Sequence, residues 1–137
     1  MSDMTLHAAL QQSLRTVPDG VAAGYLDLTT GALLSLFAAE QRPQEFLNVM
    51  ASAVTELFEA PLFKMIDKIW SNQLTEADLA KDGFGEILLF GKEYTTLLKR
   101  CHKHERHAVI YVSRKETPPG ILLMEVRKSL PKVEETV

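Results

Sequence analysis

The segment from Pro43 to Phe58, PQEFLNVMASAVTELF, constrains the fold more than any other part of this chain. Placed about 100° apart on a helical wheel, its apolar residues fill an arc of roughly 200°. An ordinary surface helix needs an apolar stripe of only about 100° to cover a core. The wide arc predicts a central helix that meets its own sheet with one half and a partner with the other. Alternatively, another helix of the same chain covers the second half.

A first helix and a β-hairpin are predicted ahead of the central helix. Leucines at four-residue spacing predict a helix over residues 3–16, which Asp3 can cap. Two apolar runs then predict strands at 21–28 and 32–38, joined by a turn in which Gly31 can take a positive φ. Gly24, inside the first strand, indicates a bulge or the close approach of another backbone. Because these strands are apolar on both faces, we expect both faces of the sheet to be covered.

The elements after the central helix are predicted from proline positions and apolar spacing. The central helix should end or kink near Ala60, because Pro61 in a helix interior would cost about 3 kcal/mol. A second helical piece is predicted over 62–72, followed by loop signals and a capped helical turn at 75–78. Strands should follow, at 86–90, 94–101 and 107–113. The segment 121–132 fits a sixth strand or a last helix; its spacing favours the helix, with a fraying charged tail at 131–137.

These elements predict a single domain over residues 1–137, since a chain of this length suits one domain with a sizeable core. The fold class is α/β (α+β) with three layers, one antiparallel five-stranded sheet lying between helices. A net charge of −3 gives no field that favours nucleic acid. No apolar run approaches the ~18 residues that span a bilayer, and a lone cysteine suits a reducing compartment. We therefore expect a cytoplasmic protein without nucleic-acid binding or membrane insertion.

Three stretches together resemble a known family. The opening hairpin places Gly24, Asp27 and Gly31 near a Gly-x-x-x-Asp-x-x-x-Gly pattern, with the aspartate one position early. The apolar helix 43–58 follows directly, and the chain closes with a strand, a Pro/Gly turn and ILLMEVRKSL at 121–130. In these features the sequence resembles the roadblock / dynein light chain superfamily, within the profilin-like and longin-like folds. The resemblance covers about residues 5–131 and departs at 61–85, where the family is usually shorter.

The resemblance implies a non-catalytic homodimeric interaction module that regulates a small Ras-like GTPase or scaffolds a multiprotein complex. Such domains pair through the central helix and the edge of the third strand. An unpaired EILLF edge would be an aggregation hazard, which pairing across a two-fold axis removes. The implied dimer interface in this chain comprises Phe46, Val49, Met50, Ala53, Leu57, Ile87 and Leu89.

The segment from Cys101 to His107, CHKHERH, holds the densest cluster of reactive side chains. Cysteine and histidines at short spacing could bind zinc, but the spacing matches no familiar zinc motif, so we expect a solvated hairpin tip. Cys101 with His107 as base would also need an oxyanion site, and no glycine nest or helix N-terminus is evident beside it. We therefore expect no catalytic residue, metal or cofactor. The alternative is a ligand- or metal-sensing domain that uses the hairpin 99–107.

The same hairpin is basic. It contains one acidic residue, Glu105, and four basic residues, Lys99, Arg100, Lys103 and Arg106. They could form a patch that meets an acidic partner surface or a nucleotide phosphate on a partner GTPase. The plainer interpretation is a charged loop that serves solubility. No aromatic residue interleaves these charges, as nucleic-acid binding would favour.

Overall fold

A computed structural model describes residues 4–40, 44–70 and 85–137, without the side chains of 44–47, 63, 64 and 67. The predicted cap at Asp3 and the predicted helical turn at 75–78 lie outside the described residues. The helices are α1 (Leu6–Arg15), α2 (Gln44–Glu59), α3 (Pro61–Trp70) and α4 (Pro119–Glu134). The strands are β1 (Gly20–Asp27), β2 (Ala32–Ala38), β3 (Glu86–Phe90), β4 (Tyr94–Arg100) and β5 (His107–Arg114).

The five strands form one antiparallel sheet in the order β2-β1-β5-β4-β3. Successive side chains of a strand point to opposite faces, which separates the core into two layers. Tyr25 and Tyr111 lie in the layer under α1 and α4. Leu26 and Ile110 lie in the layer under α2. The structure confirms the predicted three-layer α+β fold, with helices on both faces of the sheet.

Side-chain hydroxyl groups fix α1 at its start and along its length. The Thr5 hydroxyl accepts a hydrogen bond from the Ala8 backbone N–H at 3.1 Å, which makes Thr5 the N-cap. Further along, Ser13 Oγ lies 2.5 Å from both the Tyr111 hydroxyl and Ser129 Oγ. These contacts join α1, β5 and α4 inside an otherwise apolar layer, where each buried hydroxyl needs a partner.

The β1–β2 hairpin has the geometry that its glycines predict. Gly31 has φ +75° in the turn, and its N–H donates to the Asp27 carbonyl at 2.8 Å. The register between β1 and β2 shifts between Tyr25 and Leu26, next to Gly24. A Cβ on Gly24 would lie 2.9 Å from Ile110 Cγ2. The predicted irregularity is therefore present, and the close neighbour of Gly24 is a side chain rather than a backbone.

The chain end differs from the prediction of a fraying tail after Pro131. Helix α4 continues to Glu134 with Pro131 inside it. Val133 is buried in the layer that contains α1. Glu134 is buried as well, and its Oε1 accepts hydrogen bonds from the Lys103 N–H at 2.8 Å and the His104 N–H at 3.2 Å. These contacts hold the last turn in place and offset the backbone hydrogen bond that a proline cannot make. Within the described ranges, none of the helices has the length and apolar character needed to cross a bilayer.

Candidate functional site

The apolar arc of α2 is divided between the sheet and the solvent. Val54 and Phe58 are buried against the sheet, with Met50 and Leu57 partly buried beside them. Val49 is 66% exposed. Ala53 is exposed as well, whereas the side chain of Phe46 lies outside the described residues. The single chain therefore covers one part of the wide arc and leaves another part open.

Strand β3 is an edge of the sheet, since it pairs with β4 on one side and ends the strand order. Ile87 packs partly against the core layer under α2. Leu89 is 43% exposed and Phe90 is 66% exposed. Among the described residues this edge thus presents unpaired backbone groups together with apolar side chains. Such an edge favours pairing with another strand.

Ionic contacts hold β3 against the rest of the domain. The Glu86 carboxylate accepts from Arg127 Nε at 2.8 Å and from Arg127 Nη2 at 2.5 Å, and it lies 3.1 Å from Lys99 Nζ. The hydrogen bonds from Arg127, and then those from Lys99, lower the pKa of Glu86 to about 2. The first residue of β3 is therefore joined to both β4 and α4, which positions the open edge.

Helix α3 turns its apolar side outward. Its exposed apolar residues share an arc of roughly 140° on a helical wheel; they are Leu62, Met65, Ile66, Ile69 and Trp70. Lys68 lies outside that arc and is only 7% exposed. Among the side chains of α3 that the structure describes, the apolar ones are thus exposed and the charged one is buried, whereas an ordinary surface helix buries its apolar stripe.

The four basic residues of the hairpin 99–107 do not share one surface. Lys99 is buried and pairs with Glu86. Arg100 is also buried; its guanidinium lies 5.1 Å from the centroid of the Phe58 ring, and its Nη1 donates to the Glu105 carbonyl at 3.0 Å. Lys103 and Arg106 are exposed. The predicted patch is therefore divided. Lys99 and Arg100 are neighbours on β4 and point to opposite faces of the sheet, where Glu86 and the Phe58 ring hold their charges inside the protein.

Arg106 connects the hairpin to the end of α2. Its Nη1 lies 2.7 Å from Glu59 Oε1, and its Nε donates to Thr29 Oγ1 at 3.3 Å. Glu59 is the last residue of α2. Together with the stacking of Arg100 on Phe58, this ion pair joins the β4–β5 connection to the helix that carries the open apolar face.

His107 of the hairpin packs with Tyr25, and Cys101 lies in the same core cluster as Tyr25. The Tyr25 hydroxyl lies 2.8 Å from His107 Nδ1, and the His104 and His107 rings stack with their centroids 5.0 Å apart. Burial raises the pKa of the Cys101 thiol to about 12, so the thiol is protonated at neutral pH. A buried protonated thiol is a poor nucleophile and a poor metal ligand. In the parts of the chain that the structure describes, no three His, Cys, Asp or Glu side chains are placed to hold a metal ion.

Sequence reasoning missed two features of this region. One is Glu134, which holds the hairpin amides from a position 30 residues further along the chain. The other is the direction in which α3 faces. The apolar spacing of α3 was visible in the sequence, but spacing gives the members of a face and not the side of the protein to which the face turns.

Comparison with solved structures identifies the fold. The chain superposes on a structure of MglB with a tetrameric arrangement, with a TM-score of 0.71, 18% identity, and coverage of 96% of this chain and 90% of that chain. Myxococcus xanthus MglB gives a TM-score of 0.73 at 14% identity, covering 99% and 100% of the two chains. A Roadblock/LC7 domain from Streptomyces avermitilis gives 0.68 at 11% identity, covering 96% and 97%. The sequence matches no protein-family model and no curated protein. These likenesses show a Roadblock/LC7-like fold over nearly the whole chain, as the sequence resemblance implied.

Proposed function

We propose that this chain is a non-catalytic cytoplasmic module that forms a homodimer through α2 and the edge of β3. The proposed contact comprises Phe46, Val49, Met50, Ala53, Leu57, Ile87 and Leu89. We further propose that the dimer regulates a small Ras-like GTPase or scaffolds a multiprotein complex, as the family resemblance implies. The observation that carries the proposal is the open β3 edge beside α2, where Val49, Leu89 and Phe90 are solvent-exposed apolar side chains.

Physical reasons support pairing at this surface. A two-fold axis beside β3 would let two copies satisfy each other's edge hydrogen bonds and join two sheets into one. The apolar side chains of α2 and β3 would then leave water at the same time, which is the main favourable term in association. The MglB structure with a tetrameric arrangement shows that a chain of this fold can associate.

Solution mass tests the dimer directly. Light scattering across a concentration series should give about 31 kDa, twice the 15.3 kDa of one chain. Val49→Asp should give a monomer, because it brings two unpaired carboxylates into the apolar contact. Val49 is the position to change because it is exposed in the single chain, whereas Met50 and Leu57 pack against the core and a charge there would disturb folding.

The matched control is Leu34→Asp. Leu34 is 47% exposed and lies on β2, at the opposite edge of the sheet. It receives the same charge, and the variant should keep the dimer mass. A wild-type mass of 15.3 kDa at every concentration would refute the proposed pairing, as would a Val49→Asp variant that is folded and still dimeric.

The GTPase role calls for a separate assay. Purified small Ras-like GTPases loaded with GDP or with a GTP analogue would be titrated with the dimer, and nucleotide hydrolysis and exchange would be followed. We propose that Lys103 and Arg106 of this chain make the basic contacts with the GTPase. Lys103→Glu should weaken binding without changing the dimer mass, whereas Lys115→Glu, at the other end of β5, should not. A zinc titration that leaves the melting temperature unchanged would separate this proposal from a metal-sensing role of 99–107.

A further inference from the structure

The hydrogen bonds at the two ends of β3 show which of its backbone groups face the open edge of the sheet. The Arg100 N–H donates to the Gly85 carbonyl at 2.7 Å, and the Gly91 N–H donates to the Tyr94 carbonyl at 2.8 Å. Between these two bonds the register of β3 on β4 continues without a shift. In an antiparallel ladder, hydrogen-bonded pairs alternate with pairs that are not hydrogen-bonded. The odd-numbered residues of β3 therefore bond to β4.

The even-numbered residues Glu86, Leu88 and Phe90 therefore direct their N–H and C=O groups toward the open edge. When two such residues face each other across an antiparallel pair, they exchange two hydrogen bonds. If a two-fold axis passes through Leu88, Leu88 pairs with its own copy and Glu86 pairs with Phe90 of the second copy. All the outward residues of β3 then have partners. With the axis at Ile87 or Leu89, one outward residue of each copy has none within the strand.

The same register pairs apolar side chains on the α2 face of the sheet. Ile87 packs partly against the core layer under α2. Leu89 lies two residues further along, hence on the same face, and is 43% exposed. With the axis at Leu88, Ile87 of one copy lies opposite Leu89 of the other, with their Cβ atoms about 4.5–5.5 Å apart. These side chains then leave water on the side of the sheet that α2 occupies.

On the α4 face the register pairs an aromatic ring with an existing ion pair. Glu86 accepts two hydrogen bonds from Arg127 of α4. Phe90 lies on the same face of β3 and is 66% exposed. The register places Phe90 of the second copy opposite Glu86, beside the guanidinium that pairs with it. Because Glu86 is already paired within its own chain, the ring covers no uncompensated carboxylate, and a guanidinium packs favourably on an aromatic ring.

We propose that two copies of this chain pair antiparallel along β3 with the two-fold axis at Leu88, so that Glu86 of each copy exchanges hydrogen bonds with Phe90 of the other. This inference rests on the proposed dimer and assigns the register of its strands. The backbone groups of a sheet edge are satisfied by another extended strand. A second β3 suits this edge because its outward residues are arranged symmetrically about Leu88, as a two-fold contact requires.

Amide hydrogen exchange of the full-length protein, followed residue by residue by NMR, tests the register. In the dimer, the amides of Glu86, Leu88 and Phe90 should all exchange about tenfold or more slowly than in the Val49→Asp monomer, because only the dimer supplies their acceptors. The amides of the two residues between them donate to β4 in both species. These two should exchange slowly in both and serve as the internal reference.

Phe90→Pro tests the backbone contact separately from the side chain. Proline removes the outward N–H of residue 90, which makes no bond to β4, so β3 keeps its place in the sheet. Compared with Phe90→Ala, which removes only the ring, Phe90→Pro should weaken dimerisation about tenfold in sedimentation equilibrium, since each copy loses one hydrogen bond.

The matched control is Ala38→Pro, at the last residue of the opposite edge strand β2. The N–H of Ala38 also points away from its neighbouring strand, because the next residue, Ala39, is the one that donates to the Val21 carbonyl. Proline at this position removes an equivalent outward amide, and the dimer dissociation constant should not change.

The outcomes separate the register from the dimer. A dimer in which only two of the three outward amides are protected has its axis at Ile87 or Leu89, which would overturn the inference and leave the proposed dimer intact. A dimer that protects none of them does not use the edge of β3, and equal dissociation constants for Phe90→Pro and Phe90→Ala would contradict the backbone contact. Protection that persists in the Val49→Asp monomer would show that the single chain covers its own edge, which also overturns the inference. A wild-type chain that stays monomeric would remove both proposals.

Discussion

Truncating Glu134 should loosen the basic hairpin more than its position near the chain end suggests. Glu134 is 3% exposed, and its Oε1 accepts the N–H groups of both Lys103 and His104. A hydrogen bond to a charged group contributes about 1.5–3 kcal/mol to stability. Because both bonds share one oxygen, their contributions do not add fully. We expect Glu134→Ala to lower the free energy of unfolding by about 2–4 kcal/mol.

The assay is thermal unfolding combined with amide hydrogen exchange. For a domain of this size about 1 kcal/mol corresponds to about 3 °C, so the melting temperature should fall by roughly 6–12 °C. The amides of Lys103 and His104 should lose protection first, because their acceptor is gone. Glu134→Gln keeps a carbonyl oxygen but removes the charge, and its effect should be intermediate.

Glu135→Ala is the matched control. It removes the same side chain one residue later, where the residue is exposed, and should change the melting temperature by no more than about 1–2 °C. Equal destabilisation by the two alanine variants would refute the reasoning. Unchanged protection of Lys103 and His104 in Glu134→Ala would refute it as well, since the carboxylate would then not be holding these amides.

Three further predictions follow from single contacts. Gly24→Ala should destabilise the protein by about 1–3 kcal/mol in urea titrations, because its Cβ would lie 2.9 Å from Ile110 Cγ2; adding Ile110→Leu, which lacks that methyl, should recover part of the loss. The pKa of Glu86 is lowered from 4.5 to about 2 by Arg127, so its contribution to stability is present above about pH 4.5 and is lost as the pH falls toward 2; Glu86→Gln should flatten that part of the stability profile. Cys101 is buried with its pKa raised to about 12, so iodoacetamide at pH 8 should label it far more slowly in the native than in the unfolded protein; native labelling at the unfolded rate would contradict this.

Much of the fold was predictable because its signals are local. The strand at 107–113 contains an apolar, β-branched run that fits a pleated surface covered on both faces, and 86–90 is a shorter apolar run. Gly31 marked a turn that requires a positive φ, and Pro61 marked the boundary between α2 and α3. Each of these signals depends on a few neighbouring residues. The order of elements, and with it the three-layer arrangement, could therefore be obtained without any knowledge of distant contacts.

The candidate site was less predictable because it depends on distant partners. Lys99 and Arg100 appeared as surface charges in the sequence, yet Glu86 and the Phe58 ring draw them inward. Likewise, Glu134 belonged to a segment that was expected to fray. Nothing in the neighbouring sequence shows that two amides of a hairpin lie within hydrogen-bonding distance of its carboxylate. Charge alone does not determine exposure, because specific partners can offset the cost of removing a charge from water.

The orientation of helix α3 could not be predicted from its sequence either, and here the residues concerned are apolar. Its spacing predicted an amphipathic helix, and an isolated domain would bury the apolar stripe of such a helix. The structure instead buries Lys68 and exposes Trp70. An arrangement that places apolar surface in water is unfavourable in a monomer and becomes favourable once another surface covers it. The apolar spacing of α3 therefore identified the members of its apolar face, but the side of the protein to which that face turns depends on packing that spacing does not contain.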